Sequence, residues 1–432
     1  MARTLFTNVT IIDGSGAEPF AGQVLLEGNR IKAVARGSDP LPADQARSSE
    51  PHRSIDGGGA TLMPGLVEAH AHISFANTST LDGLGDIPPE EHTLIAAEHA
   101  KLLLDHGFTS INSMAAAKRR LDVVIRNAIV AGKIPGPRML ASSPELTVSG
   151  GLGDVRKDHI YRESFAIVCD GAEDFRRVSR ELVREGIDTL KINPAGDALV
   201  PSALADQTVM TDAEVAAVVE VARSRGRRVA AHARAAESVK MCVRHGIDLI
   251  NHATLCDAEA IDMLESVKER VFVMPTLGIT YTTLYEAGKW GISQEAAESF
   301  GLKRELEIAV GVMKELKRRG VRVLPGGDYG FAWNPMGNNA RDLEYFVKLL
   351  GYTPLEAISA ATRLGGQLMM KGDELGQIKP GCLADLLLVD GNPAQDVSIL
   401  RDRTRLLAIM KDGVFHKAPA PRAAAAPAVA AE

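Results

Sequence analysis

Between residues 62 and 365 the chain repeats one pattern eight times: a short apolar run followed by an amphipathic helical stretch. The apolar runs fall near 62–72, 108–114, 137–148, 189–195, 228–233, 248–254, 271–277 and 322–328. Short strands that alternate with helices build a parallel sheet covered on both faces. Eight such units close into a (β/α)8 barrel, which carries its chemistry at the C-terminal ends of its strands. The predicted fold class is therefore α/β, a TIM-like barrel. Helix signals agree with it. Thr211 and Glu214 are spaced as a capping box, Val215, Val218, Val219 and Ala222 follow as a stripe, and Gly226 closes the segment. Thr353, Pro354 and Glu356 open another predicted helix over 353–369.

The flanks have a different texture. TLFTNVTII, QVLLEG and IKAVA near the start, and LGQIKPGCLADLLLVDG and LLAIMKDGVF near the end, are short β-type runs separated by Gly, Pro, Asn and Asp. Neither flank alone has enough strands for a core. Residues 1–61 and 366–418 are predicted to pair as one small β-sandwich domain, leaving 62–365 to the barrel and 419–432, rich in Ala and Pro, to a disordered tail.

Composition narrows the function classes. With 45% hydrophobic and 24% charged residues the chain is of ordinary globular make-up. Its net charge of -6 is spread through interspersed residues without a basic face, which argues against a nucleic-acid partner. No apolar stretch approaches the roughly 20 residues that span a bilayer, so no membrane partner is expected. MARTLFTNVTIIDG lacks the apolar core of a signal peptide, and a cytoplasmic location is expected. Cys169, Cys242, Cys256 and Cys382 form no C-x-x-C pair and are expected to be reduced packing residues. The expected partners are a small-molecule substrate and further copies of the chain in a homo-oligomer.

Candidate metal ligands lie at the predicted strand ends. His70 and His72 in GLVEAHAHISF are two apart in an extended run, so both leave the same face. Lys191 ends the apolar run DTLKI, where a buried ammonium needs a partner. His232 in VAAHAR and His252 in LINHAT each follow a β-type run and precede a helical one, and Asp328 follows the eighth run in VLPGGD. Each has a plainer reading alone: packed histidines, a snorkelling or ion-paired lysine, a turn aspartate. Six such residues at strand ends of one barrel point instead to a shared site. The remaining histidines, His52, His92, His99, His106, His159, His245 and His416, fall mostly in loops or on polar helix faces and are assigned no role.

TLMPGLVEAHAH, TLKINPAG, AAHARAAESV, INHATLCD, PGGD and KPGCLADLLLVDGNP together resemble the amidohydrolase superfamily over essentially the whole chain. The chain is most similar to the branch with imidazolonepropionase-like, Xaa-Pro dipeptidase-like and ochratoxin amidase-type enzymes. The resemblance implies two divalent metal ions, Zn2+ with Mn2+ or Co2+ as substitutes. His70 and His72 with Asp328 would hold the more buried ion, and His232 and His252 the more exposed one. A CO2-derived carbamate on Lys191 would bridge them. The implied reaction is hydrolysis of a C–N bond in an amide, dipeptide, N-acyl amino acid, urea or carbamate by metal-activated hydroxide, with Asp328 as proton shuttle. Deamination, cyclic amide or ester hydrolysis is the alternative, and a non-catalytic scaffold a more distant one. Two positions depart from the family pattern. Leu152 in TVSGGLGD and Met336 in NPMGNNARDLE stand where histidines are common, in expected substrate loops. Tyr281, Tyr285, Tyr329, Phe331 and Trp333 cluster after the seventh and eighth runs, either as loop packing or as the wall of an apolar substrate pocket.

Overall fold

The computed structural model describes residues 2–41 and 52–420. Of the predicted tail, everything from residue 421 on lies outside them. Both chain ends meet in a single hydrogen-bonded sheet. Its N-terminal strands are β1 (Arg3–Ile11), β2 (Phe20–Glu27), β3 (Arg30–Arg36), β4 (His52–Asp56) and β5 (Thr61–Pro64). From the far side of the barrel segment the C-terminal strands join it with Leu386–Val389, Leu406–Lys411 and Val414–Lys417. Phe6, Val24, Leu26 and Ile31 share one apolar cluster with Leu386, Leu388, Ala408 and Met410, so neither flank has a core of its own.

The barrel begins one residue after β5. The expected run 62–72 is divided: β5 belongs to the end sheet, and β6 (Leu66–Ala71) opens the barrel. Gly65 makes the division, since a Cβ there would lie 2.2 Å from the Thr109 hydroxyl oxygen. Then follow β7 (Phe108–Ser113), β8 (Arg138–Leu140), β9 (Ser142–Thr147), β10 (Ile167–Val168), β11 (Thr189–Ile192), β12 (Arg228–Ala235), β13 (Leu249–Leu255), β14 (Phe272–Met274) and β15 (Arg322–Val323). The third barrel strand is broken at Ala141. Its first half, β8, pairs with β7 and its second, β9, with β11, all in parallel. A parallel bridge between Ala71 and Tyr329 joins the segment after β15 back to β6. The C-terminal sheet strands are β16 (Leu386–Val389), β17 (Leu406–Lys411) and β18 (Val414–Lys417).

Both capping boxes form, at Thr211 with Glu214 and at Thr353 with Glu356. The second helix differs from the expected continuous span 353–369. It runs from Pro354 to Ser359, widens into a π turn over Ala360–Leu364, and resumes over Gly365–Leu368. Gly365 lets it press on β6, because a Cβ there would meet Val67 Cβ at 2.5 Å. Arg138 ties barrel to end sheet through Asp385 and Asp412, each at 2.5 Å. All four cysteines are free and buried. No helix among the described residues is long and apolar enough to cross a membrane.

Candidate active site

All six strand-end residues line one cavity, which encloses about 780 Å3 including its open mouth. On β6 the two imidazoles leave the same face, with their Nε2 atoms 3.1 Å apart. Asp328 Oδ1 lies 2.8 Å from His72 Nε2 and 3.5 Å from His70 Nε2. One ligand atom from each of the three falls within 4.8 Å of the others, a spacing that could hold a metal ion. His252 joins from β13 with its ring 5.7 Å from that of His70, and His232 from β12 stands 4.1 Å from His252.

The ring orientations suit metal ligation. His72 Nδ1 lies 3.2 Å from the Ala115 carbonyl, which can only accept, so the proton sits on Nδ1 and Nε2 keeps its lone pair. Thr276 donates its hydroxyl proton to Pro275 O, so its oxygen accepts from His252 Nδ1 at 2.6 Å. That again leaves Nε2 free. His70 Nδ1 is buried without a hydrogen-bond partner among the described residues, and His232 Nε2 faces Gly196 O at 3.1 Å and Asp197 at 3.8 Å. Burial lowers the pKa of His70, His232 and His252, which keeps these rings neutral. Burial alone would raise the Asp328 carboxyl. His70, His72 and Lys191 outweigh it and hold the group well below the usual carboxylate range.

Lys191, on β11, is 1% exposed, and its ammonium makes no ion pair within 4.0 Å among the described residues. Burial pulls its pKa down against the opposing pull of Glu145 and Asp328. A lysine so desolvated is readily neutralised, the condition for reaction at its nitrogen.

The backbone around the site is constrained. His252, Thr276 and Asp328 have φ of 72°, 53° and 60°, a region that side-chain-bearing residues seldom occupy. The two glycines before Asp328 answer close approaches. A Cβ on Gly326 would lie 2.8 Å from His70 Cβ, and one on Gly327 2.5 Å from the Asp342 carboxylate. Asn334 Nδ2 donates to the carbonyls of Gly327 and Asp328 at 2.8 and 3.1 Å, holding the turn from behind.

Several expectations need correction. His92 and His99 are buried rather than on a polar helix face: His92 Nε2 donates to Ser74 O and His99 Nδ1 to Ile73 O, so the helix Pro89–Asp105 pins the loop after β6. Leu152 does line the cavity, whereas Met336 is buried away from it. The aromatic cluster splits. Phe331 and Trp333 line the cavity with ring centroids 5.6 Å apart. Tyr329 turns its hydroxyl to Asp342 at 3.0 Å, and Tyr281 packs on Tyr285 and Tyr345. Sequence reasoning missed Glu145, Asp197 and Arg234, which also line the cavity, and Glu305 behind Arg234. Arg234 was within reach, since it is two residues beyond His232 on one strand and shares its face. Glu305 comes from the helix Leu302–Arg318, where nothing local marks it.

Comparison with known proteins agrees with this architecture. The model of the Amidohydrolase family matches residues 61–415. The ochratoxinase of Aspergillus niger is 24% identical over an alignment that covers 95% of this chain and 85% of that protein. The imidazolonepropionase of Paracoccus denitrificans is 22% identical, covering 85% and 88%. Among solved structures, a Xaa-Pro dipeptidase with bound methionine superimposes with a TM-score of 0.84 at 26% identity, covering 96% of this chain and 100% of that one.

Proposed function

Because the chain belongs to the Amidohydrolase family, we propose that its cavity is the active site of a metal-dependent hydrolase acting on C–N bonds of a small molecule. The observation that carries this reading is the donor set: the imidazoles of His70, His72, His232 and His252, with the ionised Asp328, around one buried space. His70, His72 and Asp328 would hold one ion and His232 and His252 a second. A carbamate formed on Lys191 would supply the anionic oxygens between them. Nitrogen and oxygen donors of this kind suit Zn2+, with Mn2+ or Co2+ as substitutes. Divalent ions held there would supply an activated water and polarise the scissile carbonyl.

The chain's own residues do the rest. Asp328 is ionised, its Oδ1 stands among the imidazoles, and the Asn334 contacts hold its backbone still. It can take a proton from water at Oδ1 and return it to the departing nitrogen. Phe75, Phe165, Phe331 and Trp333 exclude bulk water from the reacting carbonyl. Deamination is the second reading, and the buried, unpaired Lys191 favours the two-ion hydrolase over it. Elemental analysis of protein purified without chelator should find about two divalent ions per chain. Uptake should slow in CO2-depleted buffer if Lys191 is carboxylated. A content well below one ion after supplementation would defeat the two-metal reading.

A further inference from the structure

The cavity wall has two parts. Its outer part is apolar, with Phe75, Leu152, Phe165, Leu199, Phe331 and Trp333 among its residues. Apart from the residues assigned to metals, the charged side chains on the wall are Glu145, Asp197 and Arg234. Among the described residues Arg234 is thus the single cation there that can meet a substrate, and its charge is already answered. Its Nε donates to Asp197 Oδ2 at 2.8 Å and its Nη1 to Glu305 Oε1, an oxygen that also accepts from the Thr254 hydroxyl at 2.8 Å. All three ionic partners are largely shielded, with side chains 6%, 15% and 5% exposed for Arg234, Asp197 and Glu305. Nη2 carries no hydrogen bond to the described residues, and Arg234 borders the cavity.

A guanidinium held by two carboxylates still offers a fixed N–H, but no net positive charge. An oxygen acceptor reaching Nη2 gains a hydrogen bond. A carboxylate reaching it would meet Asp197 and Glu305 as well, and like charges brought together in a desolvated space oppose binding. We propose that this site selects uncharged amides, carbamates or ureas with apolar or aromatic substituents, and that Arg234 determines this by binding a neutral oxygen of the substrate. The inference rests on the hydrolase reading above and adds the charge and polarity of the substrate to it.

Matched pairs that differ only by a carboxylate test it: N-benzoylphenethylamine against N-benzoylphenylalanine, and acetanilide against 4-acetamidobenzoate. With metal-loaded full-length protein, kcat/KM and calorimetric Kd should each favour the neutral member by about tenfold or more, the scale of a single like-charge contact. Glu305→Gln removes one counter-charge from behind the wall. It should narrow the preference by about tenfold, through KM, by unmasking the Arg234 charge. A merely structural Glu305 would weaken both members alike. Equal or better use of the carboxylate members by the wild type would overturn the proposal, as would a Glu305→Gln variant with an unchanged ratio. If no pair is hydrolysed, the hydrolase reading fails for such amides and the binding measurements still decide: tighter binding of the neutral members supports the charge selection, while equal binding or none defeats it.

Discussion

The floor and the wall of the cavity are built by different means. The floor is polar and over-determined. His72 and His252 are oriented by hydrogen bonds to Ala115 and Thr276, Asp328 sits at positive φ between Gly327 and the Asn334 contacts, and Gly326 admits His70 at close range. The wall is apolar and held by packing, as in the contacts of Phe75 with Phe165 and Phe331 at 5.7 Å each. A hydrogen-bonded floor tolerates little displacement, because each ligand must meet a fixed geometry. Packed side chains can be exchanged for others of similar volume at small cost. The difference puts the proposed chemistry where substitution is expensive and the proposed selectivity where it is cheap.

The comparison breaks most sharply at Asp328. Asp328→Asn should lower turnover by roughly a thousandfold or more, because the amide keeps the shape but cannot accept a proton. Melting temperature and metal content measured on the same variant should show a folded protein with at least one ion bound; wild-type turnover would remove Asp328 from proton transfer. Next is Lys191→Ala, which should lose activity by about a hundredfold together with metal, with partial rescue by added short carboxylates. Full metal occupancy in that variant would show that the lysine bridges nothing.

Acid should separate floor from wall in the metal-free protein. His70, His232 and His252 have folded pKa values below the unfolded value, so the unfolded state binds more protons as pH falls. These three histidines should therefore contribute a loss of stability as pH falls below about 6.5, by up to ~1.4 kcal/mol per pH unit each. Asp122 and Asp342 oppose it, since burial pushes their carboxyls up to about 7 and their contribution runs the other way. Thermal melts from pH 8 to about pH 5 on the wild type and on His232→Gln isolate the histidine contribution: the variant should lose stability less steeply towards acid, and equal slopes would contradict it. Phe331→Ala should leave that slope intact. Its own effect should be the smallest, a rise in KM of about tenfold for an aromatic substrate with kcat within about twofold. A larger loss in kcat would mean that the wall also positions the reacting carbonyl.

The same division governs what could be read from the sequence. Floor residues announce themselves because side chains that could hold a metal ion stand at strand ends, as with His70 and His72 two apart at the end of β6, and PGGD carries its glycines for a steric reason visible beside His70. Barrel strands are legible for a related cause: with both faces covered, β12 from Val229 to Ala235 is wholly buried and its sequence is almost uniformly apolar. Wall residues come from separate loops and helices and have no shared spacing. Phe75, Phe165 and Leu302 meet only in the folded chain, and Glu305 declares its partnership with Arg234 only there. The break at Gly65 was hidden because both halves of the run 62–72 are apolar, although they belong to different sheets.

That break has a consequence for the order of assembly. β5 is hydrogen-bonded to β1 on one side and to β16 on the other, with Leu62 opposite Leu388 and Pro64 opposite Leu386. It is covalently continuous, through Gly65, with the strand that carries His70 and His72. Contacts separated by so much chain form late, since the loop must close before they contribute. During synthesis β6 can pair with β7 and β5 with β1 early, yet the β16 side of that anchor is missing until the segment Leu386–Val389 has been made and released. A nascent chain halted before β16 therefore holds His70 and His72 beside a frame that is complete on its β1 side alone.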